Sequence, residues 1–357
     1  MKIVVAMSGG VDSSVAAALL AEQGHEVIGV SMQLYDQSEG ETRSGQSFGT
    51  CCTIDDLYDA RRVAAAIGIP HYIVNFESRF DEQVVSNFIN EYSAGRTPIP
   101  CAHCNADLKF STLLERALGY GAEALATGHY ARIEQQVDGS YRLRRGVDHS
   151  KDQTYFLFSL TQEQLSRAAF PIGHLDKPTV RDHARRLNLR VAEKKDSQEI
   201  CFVPDGDYAA FIERAAPELR RPGSLIDQGG EVVGAHAGVH RFTIGQRKGL
   251  GLSSRDPLYV LEIKPATAQV VVGPRDALSR RTLSASQVNW VSGRPALDWQ
   301  PVTAQIRHRH APATARVRAI DVTRLELEFE EPQSAVTPGQ AVVLYEGDVV
   351  LGGGWID

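Results

Sequence analysis

The sequence predicts an α/β protein, with a doubly wound parallel sheet followed by a small middle domain and a C-terminal β-barrel. Three observations lead there. Strand-like and helix-like segments alternate through the first half of the chain, as a parallel sheet covered on both faces requires. From about Pro222 onward the pattern changes to short β-branched runs punctuated by Gly, Pro and Asp, an all-β signature. At 357 residues the chain also exceeds what one hydrophobic core usually serves, so two or three domains are expected.

Taken in order, Lys2-Ile3-Val4-Val5-Ala6 is a short, apolar, β-branched strand, and residues 14–23 are Ala- and Leu-rich with nothing to interrupt a helix. Glu26–Gln33 reads as a second strand, Ile54–Ile67 as a helix and His71–Phe76 as a third strand. Arg79–Tyr92 and Asp107–Leu118 read as helical, and Glu123–Ile133 returns to strand character. Residues 36–50 are rich in Gly and Ser and read as a mobile loop. Helices are expected at 161–169 and 177–187, then strands at Leu258–Ile263, Gln269–Val272, Thr314–Ile320, Leu325–Phe329 and Ala341–Tyr345. Gly273-Pro274-Arg275-Asp276 marks the break before the barrel, giving domains at 1–203, 204–275 and 276–357.

A hydrophobic fraction of 43% and a charged fraction of 23% are ordinary for a globular protein. With no signal peptide and no apolar run long enough to span a bilayer, a cytoplasmic protein without a membrane partner is expected. The net charge of −6 alone argues against a nucleic-acid partner, but its distribution is uneven. Residues 177–195 carry Lys177, Arg181, Arg185, Arg186, Arg190, Lys194 and Lys195 against only Asp182 and Glu193. Residues 299–320 contain no acid, and Arg307, His308, Arg309, His310, Arg316 and Arg318 cluster there. Local patches set the field a polyanion feels, although a solvated basic face reads the same way.

Between the first strand and first helix lies Ala6-Met7-Ser8-Gly9-Gly10-Val11-Asp12-Ser13-Ser14. The glycine pair lets the backbone turn closely around a ligand, and the following helix points unpaired amides at it, which suits a phosphate chain. No Lys follows the glycines, so this is not a Walker A loop. Ser-Gly-Gly-x-Asp-Ser resembles the pyrophosphate loop of enzymes that split ATP between its α and β phosphates. At the carboxyl end of a first strand it lies where such sheets bind ligands.

Five cysteines in a chain read as cytosolic point to reactivity or metal binding rather than structural disulfides. Cys101 and Cys104 stand three apart, bounded by Pro100, just before a helical stretch whose amides favour the thiolate. Cys201 stands alone in Asp196-Ser197-Gln198-Glu199-Ile200-Cys201-Phe202. The pair reads equally as a redox couple, as metal ligands, or as a nucleophile with a helper. A zinc site would need Cys201 and a fourth ligand from Cys51, Cys52, His103 or His129. Cys51-Cys52 read most simply as buried or loop thiols. His129, at a strand's carboxyl end, reads as structural or functional, and Gln246-Arg247-Lys248 as a turn with an exposed basic tip.

Together with Cys51-Cys52, Asp59-Ala60-Arg61, Gly95-Arg96-Thr97-Pro98, Cys104-Asn105, Thr127-Gly128-His129-Tyr130, Lys151-Asp152-Gln153-Thr154-Tyr155, Thr243–Leu250 and Gly352-Gly353-Gly354-Trp355, the loop and the Cys201 string make the chain resemble the tRNA-specific 2-thiouridylases nearly end to end. That resemblance implies an ATP-pyrophosphatase (PP-loop) catalytic domain and a sulfurtransferase that adenylates the C2 oxygen of the wobble uridine in tRNA. Sulfur from a protein persulfide then replaces that oxygen, releasing AMP and pyrophosphate. It implies that Ala6, Met7, Ser8, Gly9, Gly10, Val11, Asp12 and Ser13 hold the phosphates, with Met32 and Gly128 at the nucleotide. Cys201 would carry the persulfide and Cys104 would attack it, releasing sulfide or closing a Cys104–Cys201 disulfide. Ile99, Pro100 and Cys101 would line a flipped target base. His129, Lys151, Asp152, Gln153, Arg307, His308 and Gln340 would meet tRNA. The implied partners are tRNA and a persulfide donor, either a cysteine desulfurase or a sulfur carrier, with ATP and Mg2+ as cofactors.

One departure stands out. Many family members carry Asp where this chain has Cys101, and there that Asp is assigned the general base. One reading has Cys101 assist Cys104. The other makes Cys101, Cys104 and Cys201 a three-thiolate set for a 4Fe–4S cluster. Two rival functions share some of these features: an amide-forming ATP-pyrophosphatase ligase, which needs no thiols, and an iron–sulfur or zinc RNA-binding module.

Overall fold

The computed structural model describes residues 1–35, 54–196, 200–203 and 206–357. The Gly- and Ser-rich stretch at 36–50, Cys51-Cys52 and Ser197-Gln198-Glu199 lie outside the described residues. The chain forms two compact units. One comprises Met1–Val84, Cys101–Gly206 and Asp348–Val350, and the other Val85–Pro100, Asp207–Gly347 and Leu351–Asp357.

The first unit is built on the expected parallel sheet. Strands β1 (Lys2–Ala6), β2 (Glu26–Gln33), β3 (His71–Asn75), β4 (Ala124–Thr127) and β7 (Ala168–Ala169) lie in the order β3-β2-β1-β4-β7. All four pairings are parallel. Helix α1 (Val11–Glu22) follows β1, and helix α2 (Ile54–Ile67) precedes β3. Helix α1 is buried at Val11, Ser13, Ser14, Val15, Ala16, Ala17, Ala18 and Leu20, which explains its small side chains: nothing bulkier lets other elements close around it. Its core neighbours include Ile3, Val5, Val27, Val63, Val180 and Leu189.

The run Glu123–Ile133 is not one strand. Gly128-His129-Tyr130 breaks it into β4, which ends in the parallel sheet, and β5 (Ala131–Gln135). Strand β5 pairs antiparallel with β6 (Tyr141–Arg145), and β6 in turn with Val349 and Val350. The helix expected at 161–169 is shorter, Gln162–Arg167, because Ala168 and Ala169 extend to form β7. The helical stretches expected at 79–92 and 107–118 run longer, as successive helical segments over 77–93 and 100–119.

In the second unit, β8 (Gly223–Ile226), β9 (Val232–His236), β10 (Tyr259–Lys264) and β11 (Gln269–Gly273) form a four-stranded sheet, order β10-β11-β8-β9, around Leu225, Phe242, Val260, Val270 and Val272. The remaining strands, β12 (Ser279–Trp290), β13 (Gln300–Gln305), β14 (Ala313–Ala319), β15 (Leu325–Ser334), β16 (Ala341–Glu346) and β17 (Val349–Ile356), follow the order β12-β15-β14-β13-β16-β17. Strand β12 also pairs with β17, Ala285 opposite Ile356 and Trp290 opposite Gly352, which closes a six-stranded barrel. No helix among the described residues is long and apolar enough to cross a membrane.

Candidate active site

In the first unit the strand order reverses at β1, so the loops after β1 and β4 flank one crevice at the sheet's carboxyl edge, the place where open α/β sheets bind ligands. Both loops are glycine-dependent. Gly9 has φ +73°, and a Cβ there would fall 2.2 Å from the Asp56 carbonyl oxygen. A Cβ on Gly128 would fall 2.5 Å from the Ser13 amide nitrogen. Gly10 caps α1 without a side-chain hydrogen bond, which leaves the first-turn amides available to an anion. The Ser8 amide donates to Ser13 Oγ at 3.2 Å, and Ser14 Oγ donates to the Gly10 carbonyl at 2.7 Å, fixing the loop's path. Met32 is buried on β2.

Charged side chains that the sequence scatters widely converge on this loop. Lys177 Nζ donates to both carboxylate oxygens of Asp12 at 2.9 Å, and Tyr130 Oη donates to Asp12 Oδ1 at 2.8 Å. Burial first, then the Asp12 carboxylate, holds the Tyr130 phenol above its ordinary range, so it stays a donor. Asp196 Oδ1 lies 2.7 Å from Lys177 Nζ, while its other oxygen accepts from Lys151 Nζ at 2.7 Å. Burial alone would raise the Asp196 carboxyl, but Lys151 and Lys177 outweigh it and hold it low. On the other side of the loop, Lys194 Nζ donates to the Gly9 carbonyl at 3.1 Å, to Asp56 at 2.6 Å and to Asp59 at 2.7 Å. Burial would lower the Lys194 ammonium, yet its two carboxylate partners raise it, so it is charged at neutral pH.

The basic run at 177–195 is therefore only in part a solvated face: Arg185, Arg186, Arg190 and Lys195 are exposed, but the rest turn inward. Lys177 is buried, Lys194 is half-buried, and Arg181 Nη1 donates to the Ala192 carbonyl. Arg185 pairs with Asp182 and Glu193, and Arg186 with Glu22. The roles of Lys177, Lys194 and Asp196 at the loop were missed in the sequence. The one available signal was Asp176-Lys177-Pro178, a helix start that pins Lys177 at the first helical position, with Asp176 accepting from the Thr179 amide.

Cys101 and Cys104 lie on one continuous helical stretch that starts at Pro100, Cys101 exposed and Cys104 partly buried. Cys201 is also partly buried, and Phe202 beside it packs edge-on against Phe80 at 5.5 Å. All three thiols are among the described residues, and no three of the described His, Cys, Asp and Glu side chains gather as a metal-holding group.

The residues expected at tRNA are spread. His129 is buried beside Phe110 and Phe170 and shares a 2.6 Å hydrogen bond with Thr127 Oγ1. Burial, then Lys109, lowers its basicity far enough to keep it neutral. Asp152 is also buried, accepting from Arg145, the Gly146 amide and Thr154 Oγ1. Gln153 accepts from the Tyr130 amide. His129 and Asp152 both have buried side chains.

In the second unit, Ile99 and Pro100 are buried. Gln340 Nε2 donates to the Thr97 carbonyl at 3.0 Å. Arg307 donates to the Ser334 carbonyl, and His308 is exposed. Gln246-Arg247-Lys248 forms the expected turn, with Arg247 and Lys248 exposed. Arg316 and Arg318 are not a bare basic face, because Glu328 and Glu326 on β15 pair with them, and both flank Trp299.

Family comparisons cover nearly the whole chain. Residues 1–205 match the tRNA methyl transferase HUP domain, 209–274 the tRNA methyl transferase PRC-barrel domain, and 280–356 the aminomethyltransferase beta-barrel domain. A tRNA-specific 2-thiouridylase MnmA of Geotalea uraniireducens is 53% identical over 356 residues, covering 100% of this chain and 95% of the relative. Its namesake in Solibacter usitatus is 54% identical over 366 residues, covering 99% of each.

Proposed function

We infer the reaction from kinship: the chain belongs to the tRNA-specific 2-thiouridylase family, and it is an enzyme that transfers sulfur to a uridine of tRNA. The carrying observation is the glycine-bounded loop at the start of α1, where Gly9 packs on the Asp56 backbone and Gly128 on the backbone of Asp12 and Ser13. Such a cradle fits a triphosphate.

ATP lies in this crevice, and the wobble uridine's C2 oxygen attacks the α-phosphorus. The bond to the bridging oxygen breaks and pyrophosphate leaves, which turns a poor leaving group, the carbonyl oxygen, into AMP. The Cys104 thiolate then attacks the Sγ of a Cys201 persulfide, forming a Cys104–Cys201 disulfide and releasing hydrosulfide. Hydrosulfide adds to C2 and expels AMP. A dithiol reductant supplies the two electrons and two protons that reopen the disulfide, and a persulfide-donor protein then recharges Cys201. Cys101, the outward-facing member of its segment, stands nearest the base, with Ile99 and Pro100 supporting the turn. His308, Lys151 and Gln153 contact tRNA through side chains. Buried His129 and Asp152 serve by holding the backbone.

The site's charge balance fits Mg2+. Lys151, Lys177, Arg181 and Lys194 are matched by Asp12, Asp56, Asp59 and Asp196. A triphosphate adds about four negative charges, and hard oxygen donors with phosphates are what Mg2+ takes. Asp12 would hold it, and the ion would supply charge neutralisation for the phosphates. For an iron–sulfur cluster, no group of three His, Cys, Asp or Glu side chains gathers among the described residues.

The test is mass spectrometry of tRNA nucleosides from cells lacking this protein. Wobble 2-thiouridine derivatives should vanish, return with the wild-type gene, and stay absent with Cys104→Ala. Unchanged 2-thiouridine in the deletion strain would refute the assignment.

A further inference from the structure

We propose that Lys177 is the residue that takes up the departing pyrophosphate, and that Asp196 competes with pyrophosphate for it. This rests on the ATP reading above. The first observation is where Lys177 stands. It is the first residue of the helix Lys177–Arg186, and a cation at the positive end of a helix is disfavoured. It is buried as well, which adds a desolvation penalty. A placement that opposes both the helix dipole and solvation is retained only by its partners, and these are two carboxylates from different parts of the chain, Asp12 and Asp196.

The second observation is that one of these contacts is incomplete. Asp196 Oδ1 is buried, 2.7 Å from Lys177 Nζ and 3.5 Å from Arg181 Nη2, yet neither ion pair has the alignment of a hydrogen bond. Asp196 therefore holds this ammonium by charge without a directed hydrogen bond, whereas Asp12 holds it by two. The third observation is adjacency: Asp12, which Lys177 grips through both oxygens, is in the first turn of α1 beside the anion-accepting amides.

These features define an exchange. When the bond between the α-phosphorus and the bridging oxygen breaks, the electron pair remains on that oxygen, which becomes a terminal oxygen of pyrophosphate. New negative charge thus appears on the leaving side, and the Lys177 ammonium neutralises it without giving up a proton. Asp196 yields its share of the ammonium and keeps Lys151 and Arg181 as its partners.

The experiment is calorimetric titration of the full-length protein with inorganic pyrophosphate in magnesium buffer, and separately with AMP. Lys177→Met should weaken pyrophosphate binding about tenfold or more, as expected for one lost charge-assisted contact, and leave AMP within about twofold. Lys177→Arg should retain most of the affinity. Asp196→Asn, which removes the competitor, should tighten pyrophosphate about threefold. A purely structural role for the pair would instead weaken binding in both. If the wild type binds no pyrophosphate, the ATP reading itself falls. If the wild type binds but Lys177→Met binds equally, or Asp196→Asn fails to tighten, the Lys177 assignment alone is overturned. Should Lys177→Met not fold, the Asp196→Asn result decides.

Discussion

Two basic stretches, one in each unit, end in opposite physical situations. Lys177 and Lys194 are drawn inward, and each is the hub of a carboxylate cluster on the glycine loop. Arg316 and Arg318 remain about half exposed on a barrel strand, each facing a glutamate on the next strand and one side of Trp299. The first arrangement joins residues far apart in the chain, so its loss is felt in the loop. The second is a cross-strand ladder whose members water could serve almost as well. Equal local charge density therefore conceals a keystone in one unit and surface trim in the other.

The strongest blow to that contrast is Gly9→Ala. Its Cβ would sit inside the Asp56 backbone, in a left-handed conformation that also disfavours alanine, so the loop and its Lys194 contact must move together. ATP-dependent pyrophosphate release should fall roughly 100-fold or more, as for other displaced catalytic loops, and near-wild-type release would show that the loop does not depend on this glycine. Next is Lys194→Met, which strands the nearly buried Asp56 and its neighbour Asp59. Urea unfolding should report a loss of about 3 kcal/mol, the scale of a broken buried pair.

The same variant carries a pH signature. The folded Lys194 sits above its ordinary value of 10.5, so its contribution is fully present below that pH and is lost as pH rises through the raised folded value. Lys194→Met should flatten the alkaline fall in stability, and an unchanged alkaline limb would contradict the pairing. The smallest effect belongs to Arg316→Ala with Arg318→Ala. Exposed pairs and ring contacts of this kind are worth about 1 kcal/mol or less each. Since both guanidiniums are already paired, the salt slope of tRNA binding should not change. A slope reduced by about two would return this strand to the RNA face.

Much of the first unit was legible because its signals are local. The apolar β-branched strands, the Ala-rich α1 and the Ser-Gly-Gly-x-Asp-Ser turn each state their conformation within a few residues. The bounds of β2 and α2 match the sequence reading residue for residue. What failed was non-local. Glu123–Ile133 looks like one strand because Gly128 is the sole breaker in it, and that Gly is required by a contact with Ser13, invisible in one dimension. Strand β6, Tyr-Arg-Leu-Arg-Arg, hides because its Arg144, like Arg132 on β5, is placed by the distant Asp348 rather than by alternation. Lys177 and Lys194 were counted as surface charge for the same reason. Their partners Asp12 and Asp56 stand more than a hundred residues away, and composition has no way to report a pairing at that range.

Asp348 is gripped by Arg132 and Arg144, and the two residues after it pair with β6, so the first unit is finished by a piece from near the chain's far end. Val85–Pro100, made early, belongs instead to the second unit. On the ribosome, neither half can be completed as it emerges: the catalytic half must wait for residue 348 to leave the exit tunnel. A gene fragment ending near residue 206 lacks Asp348 and the two residues that extend the β5–β6 pair, so it encodes the first unit without its last edge.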